Sequence, residues 1–156
     1  MRLAPDADAL EFAAGVRELL ADQADPAALR VAWDDADGRI PGIWKRLAET
    51  GVLGLTVPEE YGGSGAELTS LLPVLVELGR AALPAPVVET VVGARMLAHA
   101  GGPVAEDWLP GVVAGDVVIA TQLGPGDMVS AAPWADLLMV VDGAGLHCAV
   151  ESDYIE

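Results

Sequence analysis

The densest cluster of side chains that could do chemistry lies in "GLTVPEEYGGSGAELTS", where two acids and a tyrosine meet three glycines. Glycine-rich turns cradle phosphates when their amides converge, but the known forms have fixed spacing. A Walker-type loop needs G-x-x-x-x-G-K-[ST], and a dinucleotide turn needs G-x-G-x-x-G between a strand and a helix. Gly62, Gly63 and Gly65 fit neither, no lysine follows them, and Glu59 and Glu60 would repel a phosphate. The physical expectation is a tight corner in which glycine supplies positive φ and Ser64 caps the next helix. Glu59, Glu60 and Tyr61 are then parts of a turn rather than reacting groups.

The other candidates have structural explanations. "DDADGR" is rich in acids, yet Asp34, Asp35 and Asp37 are out of register for a calcium loop and no downstream Glu completes one. It reads as a solvated loop. His99 falls near a helix C-terminus, where an imidazole favours the dipole. His147 and Cys148 are neighbours in a strand, so they face opposite sides and cannot form a dyad. With Cys148 the sole cysteine, an internal disulfide framework and a cysteine-rich zinc site are both excluded. No acid earns nomination as a general base. A base must be held beside its substrate with a tuned pKa, whereas these acids fall in caps, loops and polar faces.

The elements that must position any site are mostly helical. Leu10, Ala13, Val16, Leu19 and Leu20 recur at helical spacing, with Asp8 and Glu11 as a capping pair and Pro26 beyond the end. A short helix follows over 27–33. "IPGIWKRLAETG" predicts a third, with Ile43, Trp44 and Leu47 inward and Gly51 as its left-handed stop. "VLGLTVP" reads as extended. Ser64 and Glu67 make an S-x-x-E capping box for a helix over 66–82, whose buried stripe is Leu68, Leu71, Leu72, Leu75 and Leu78, and Pro73 kinks it or delays its start. A helix over 87–100 is apolar on most sides and ends at Gly101-Gly102, and Pro103 opens a short one through Leu109. From Gly115 the texture changes to β-rich runs, "DVVIATQL", "DLLMVV" and "GLHCAV", the last two joined by the hairpin signal "DGAG". The expected fold is α+β: an all-α unit over 1–114, then a partial antiparallel β-domain over 115–156.

Composition narrows the partners. Of the 156 residues 53% are hydrophobic but only 4% aromatic, so the core must be Ala, Leu and Val, which favours packed helices. Lys and Arg number 8 against 24 Asp and Glu, a net charge of −16. That excess repels nucleic acid, whose binding needs cations to displace counterions, and anionic membranes. The N-terminus lacks a signal-peptide h-region and no apolar run reaches ~20 residues, so the expectation is a soluble, cytoplasmic protein.

"IWKRLAETGVLGLTVPEEYGGSGAELTSLLPVLVELGRAALPAPVVET" resembles the N-terminal helical domain of acyl-CoA dehydrogenases. The likeness rests on a W-x-x-L-A-x-x-G helix, then G-L-x-V-P-E-E-Y-G-G-S-G, then a helix ending E-L-G-R. It runs over about 43–115 and continues in "EDWLPGVVAGD". The resemblance implies FAD, an acyl-CoA thioester substrate and α,β-desaturation, in which a glutamate removes the α-proton while hydride leaves the β-carbon for the flavin. That glutamate lies in the family's C-terminal helical domain and has no counterpart here.

The family's flavin motif, T-E-P-G-x-G-S-D, is degenerate in this chain. Thr121, Gly124 and Gly126 match it, whereas Gln122, Leu123 and Asp127 replace the glutamate, proline and serine. A serine hydroxyl donates to the cofactor, while an aspartate would repel its pyrophosphate. The W-x-T/S flavin wall is missing, with Trp134 a candidate to fill part of its place. Thr121 is therefore either a flavin contact or a core or edge-strand threonine. Val88, Val91 and Val92 lie on the helix that floors the family's acyl pocket, and core packing explains them equally well. Three short strands with open edges also need completing from outside.

The resemblance thus implies a subunit or truncated chain of a flavin-dependent acyl-CoA dehydrogenase, active only with a partner or a missing C-terminal domain. The partner would be a homologous subunit or a second copy, and FAD would be held here, shared, or held by that partner. The alternatives are a non-catalytic subunit shaping a homologous partner's pocket and a redox-silent member acting on a thioester.

Overall fold

The computed structural model describes residues 4–35, 38–122, 129, 131–143 and 145–150. Helix α1 (Ala7–Gln23) begins at Asp6, whose carboxylate accepts from the Ala9 amide at 2.8 Å. The cap is thus Asp6 and not Asp8, because the chain turns helical one residue before Asp8. The inward face is Ala9, Ala13, Val16 and Leu20, and Leu10 points to solvent. Helix α2 (Pro26–Asp34) starts at Asp25, which accepts from the amides of Ala27 and Ala28, with Pro26 pre-set in the first turn. Helix α3 (Ile43–Glu49) ends at Gly51 (φ 86°), and the Val52 amide donates back to the Leu47 carbonyl at 2.9 Å. That is the glycine stop the sequence indicates.

Helix α4 (Leu68–Arg80) packs against α1. Ser64 does not cap it: Glu67 is the N-cap residue and makes no side-chain cap bond. The helix buries Leu71, Val74, Glu77 and Leu78, while Leu68 (46% exposed) and Leu72 (44%) lie outside the core. Sequence spacing allowed two overlapping stripes, and α1 selects the one that brings Glu77 to Arg17. Arg17 Nε donates to Glu77 Oε2 at 2.9 Å and Arg80 Nη1 to Oε1 at 2.8 Å. Between α3 and α4, "VLGLTVP" forms turns rather than an extended segment.

Helix α5 (Val87–Ala100) and helix α6 (Gly102–Ala114) follow. The latter runs past Leu109 and through Pro110, against expectation. Glu106 and Pro110 both lie on its exposed side, where losing one backbone bond costs least. Gly115 (φ 70°) terminates the helical part.

Strands β1 (Ile119–Gln122), β2 (Leu137–Asp142) and β3 (Gly145–Val150) form a sheet in that order. β2 and β3 are an antiparallel hairpin pairing Asp142 with Gly145. β1 and β2, however, are parallel, with Ile119 opposite Leu137. The α+β class holds, but the sheet is mixed rather than antiparallel. A parallel pair cannot be closed by a tight hairpin turn, and residues 123–136 separate β1 from β2. One core joins α1, α3 and α4; a second, containing Leu97, Leu109, Ile119, Leu137 and Met139, binds α5 and α6 to the sheet. Among the described residues no helix is long and apolar enough to cross a membrane.

Candidate functional site

The glycine corner is saturated with its own backbone bonds. The amides of Tyr61 and Gly63 donate to the Pro58 carbonyl, that of Gly62 to Glu59, Ser64 to Gly54, Gly65 to Val57 and Ala66 to Leu55. None of the six amides from Tyr61 to Ala66 is left to receive a phosphate. Gly62 (φ 87°) and Gly65 (φ 61°) supply the left-handed turns. A Cβ on Gly63 would meet the Val57 carbonyl oxygen at 2.1 Å, so only glycine lets the backbones cross there. Glu59, Glu60 and Tyr61 make a single 3₁₀ turn on the rim.

The flavin-motif positions divide. Gly124 and Gly126, with Leu123 and Asp127, lie outside the described residues. Thr121 is 7% exposed and its hydroxyl donates to the Glu89 carbonyl of α5 at 2.9 Å. Beside it the fully buried Thr90 hydroxyl donates to the Ile119 carbonyl (3.0 Å) and accepts from the Ile119 amide (3.2 Å). Two threonines therefore clasp β1 to α5. Gly93 makes this approach possible, since a Cβ there would stand 2.6 Å from Ile119 Cγ2 and from Thr121 Oγ1. The Thr121 hydroxyl thus holds the Glu89 carbonyl in this arrangement. Trp134 lines a cavity of about 70 Å³ with Arg39, Trp44 and Pro84.

The cavity with the makings of a binding site is a groove of about 550 Å³, within the usual range for small-molecule sites. Helix α4 contributes Leu68 and Leu71, α5 contributes Val91, Val92 and Met96, and β3 contributes Leu146. Arg95 and His99 of α5 complete the lining, and no carboxylate occurs among the described lining residues. Of the three valines singled out from sequence, Val91 and Val92 line this groove. Val88 is 52% exposed and borders a separate, smaller cavity against Leu75 and Gly79. Sequence reasoning missed Arg95, although an arginine between Val92 and His99 on one face of an apolar helix was a readable signal. It also missed Gly93, a glycine inside a helical pattern that marks a close approach.

Comparison with known proteins bears on this arrangement. The family model "Acyl-CoA dehydrogenase, N-terminal domain" matches residues 6–116. Acyl-CoA dehydrogenase IpdE2 of Mycolicibacterium smegmatis is 34% identical over 135 residues, which cover 84% of this chain and 41% of that protein. Acyl-CoA dehydrogenase IpdE2 of Mycobacterium tuberculosis is 36% identical over 116 residues, covering 74% of this chain and 36% of its own. A variant of the Tcur3481–Tcur3483 steroid ACAD superposes with a TM-score of 0.78 at 27% identity, over 90% of this chain and 46% of that one. A chain of the ChsE4–ChsE5 complex from Mycobacterium tuberculosis gives 0.83 at 22% identity, a likeness of fold, over 96% of this chain and 49% of that one. The chain spans about two-fifths of these curated relatives and about half of the solved chains.

Proposed function

The chain belongs to the acyl-CoA dehydrogenase family through that family's N-terminal domain, and from this we propose that it supplies one wall of an acyl-CoA site in a two-part dehydrogenase. On this reading residues 1–114 are the helical domain and 115–156 the start of a middle β-domain. The observation that carries the reading is the apolar groove between α4, α5 and Leu146 of β3. Its Leu, Val and Met side chains suit a hydrocarbon chain, whose burial is worth about 0.8 kcal/mol per methylene.

Two observations support dependence on another chain or segment. The described lining contains no carboxylate to take the α-proton, and the Thr121 hydroxyl already donates to the Glu89 backbone carbonyl. The base, and most of the cradle for FAD, then come from elsewhere: a homologous subunit, a second copy, or a further domain. Both solved neighbours named above carry paired designations, Tcur3481–Tcur3483 and ChsE4–ChsE5, which suits a heteromeric arrangement. The second reading, a non-catalytic subunit that shapes a homologous partner's pocket, draws on the same lack of a base.

Calorimetric titration with hexanoyl-CoA and with free CoA tests the groove. Acyl-CoA should bind more tightly than CoA, and Val92→Asp, which places a charge in the groove, should remove the difference. Equal binding of the two would overturn the assignment. Desaturation measured with an artificial electron acceptor separates the two readings. Turnover that needs this chain's intact groove favours an enzyme component; turnover by the partner alone favours the non-catalytic subunit.

A further inference from the structure

Among the described residues of this acidic chain, almost all the cations are accounted for. Arg17 and Arg80 hold Glu77, Lys45 holds Asp116, Arg46 holds Glu49, and Arg30 donates to the Pro26 carbonyl. Arg39 also has a partner. Arg95 is different: it makes no hydrogen bond or ion pair with any described residue, and it lines the groove of about 550 Å³ between Val92 and Met96. With 24 acids against 8 bases, carboxylate partners are abundant in this chain. Exposed on the wall of a mostly apolar groove, with no carboxylate partner among the described residues, the Arg95 guanidinium presents planar paired donors to whatever enters. His99, one turn further along α5, lines the same wall.

We infer that the groove takes acyl thioesters bearing a second anionic group, a carboxylate on the acyl portion, and that Arg95 is the specificity-determining residue that receives it. The inference rests on the acyl-groove reading above and adds the substrate class. An anionic oxygen could also come from the phosphates of CoA. The apolar neighbours Val91, Val92, Met96 and Leu146 argue for the acyl portion, because they suit the hydrocarbon that precedes a terminal carboxylate and offer nothing to a polyphosphate. Guanidinium and carboxylate match as a two-pronged, charge-assisted pair, and His99 adds a second polar contact on the same side.

The test compares free CoA, hexanoyl-CoA and adipoyl-CoA by calorimetry on the full-length protein as purified, with any subunit that accompanies it. Adipoyl-CoA should bind about tenfold more tightly than hexanoyl-CoA, about 1.4 kcal/mol. Arg95→Gln should erase that preference, so that adipoyl-CoA binds no more tightly than hexanoyl-CoA. Arg95→Lys, which keeps the charge but not the fork, should retain part of it, and unchanged far-ultraviolet dichroism of both variants excludes unfolding as the cause. Equal binding of the two acyl-CoAs, both tighter than CoA, would overturn this inference and leave the groove intact. A uniform loss for all three probes in Arg95→Gln would move Arg95 to a CoA phosphate and overturn it equally. If neither acyl-CoA outbinds free CoA, the groove reading itself fails.

Discussion

Glu77 shows how a single buried acid is made tolerable. Its carboxylate lies inside the α1–α4 contact, bound by Arg17 and Arg80, whose own guanidinium groups remain largely in water. The hydrogen bond from Arg17, with the charges of both arginines, holds the carboxyl below its ordinary pKa. A carboxyl depressed in the folded state contributes stability above its unfolded pKa, and the contribution is lost as pH falls through the folded value. Urea midpoints followed downward from neutrality through the ordinary glutamate range should therefore fall more steeply for the parent than for Glu77→Gln. Parallel curves would show that the pair contributes nothing. Thr90 is the second case. Thr90→Val keeps the shape but leaves the buried Ile119 amide and carbonyl without their side-chain partner, at a cost of about 1–3 kcal/mol by urea unfolding. Thr90→Ser should restore most of it.

At the scale of elements, the α5–β1 contact decides where the groove wall stands. Gly93 sits where a methyl would strike Ile119, Thr121 and, at 3.2 Å, the Met139 sulfur. Alanine raises helix propensity by up to about 1 kcal/mol over glycine, but here overpacking should outweigh that gain. Gly93→Ala is expected to destabilise by about 1–3 kcal/mol. Gly15 in α1 is the control, because nothing lies within 4 Å of a Cβ placed there. Gly15→Ala should stabilise by about 0.5–1 kcal/mol. Denaturant curves for both variants give the comparison, and the same sign for the two would contradict the packing argument.

Across the whole molecule, apolar side chains remain at the surface. Leu68, Leu72 and Val76 stand at successive turns of α4 and are exposed, as is Val88 of α5, and among the described residues the outer edges of β1 and β3 have no strand neighbour within the sheet. A net charge of −16 opposes crowding of identical copies, so association with a homologous, complementary chain is the expected outcome. Light scattering of the chain alone and with an acyl-CoA dehydrogenase partner should show a larger complex in the mixture, and Val76→Glu should weaken it. A stable monomer in every mixture would refute this. The chain purified alone should also lack the visible spectrum of bound flavin, because the Thr121 hydroxyl is engaged with the Glu89 backbone carbonyl. A stoichiometric yellow protein would show that the departures from the flavin motif had been over-weighted.

What the sequence determined by itself was local and periodic. The glycine stop at Gly51, the corner at Gly62–Gly65, the change of texture at Gly115 and the family pattern over 43–115 depend on near neighbours or on whole-segment likeness, and both are written along the chain. The tertiary structure decided what depends on a distant partner. It chose which leucines of α4 turn inward, because α1 and Arg17 lie on one side only. It paired β1 with β2 in parallel, a direction that the residues of short strands do not encode. It separated Val88 from Val91 and Val92, tied Thr121 to a helix carbonyl, and set Arg95 on the groove wall. Each of these turns on distances between residues far apart in sequence, which composition and spacing do not encode.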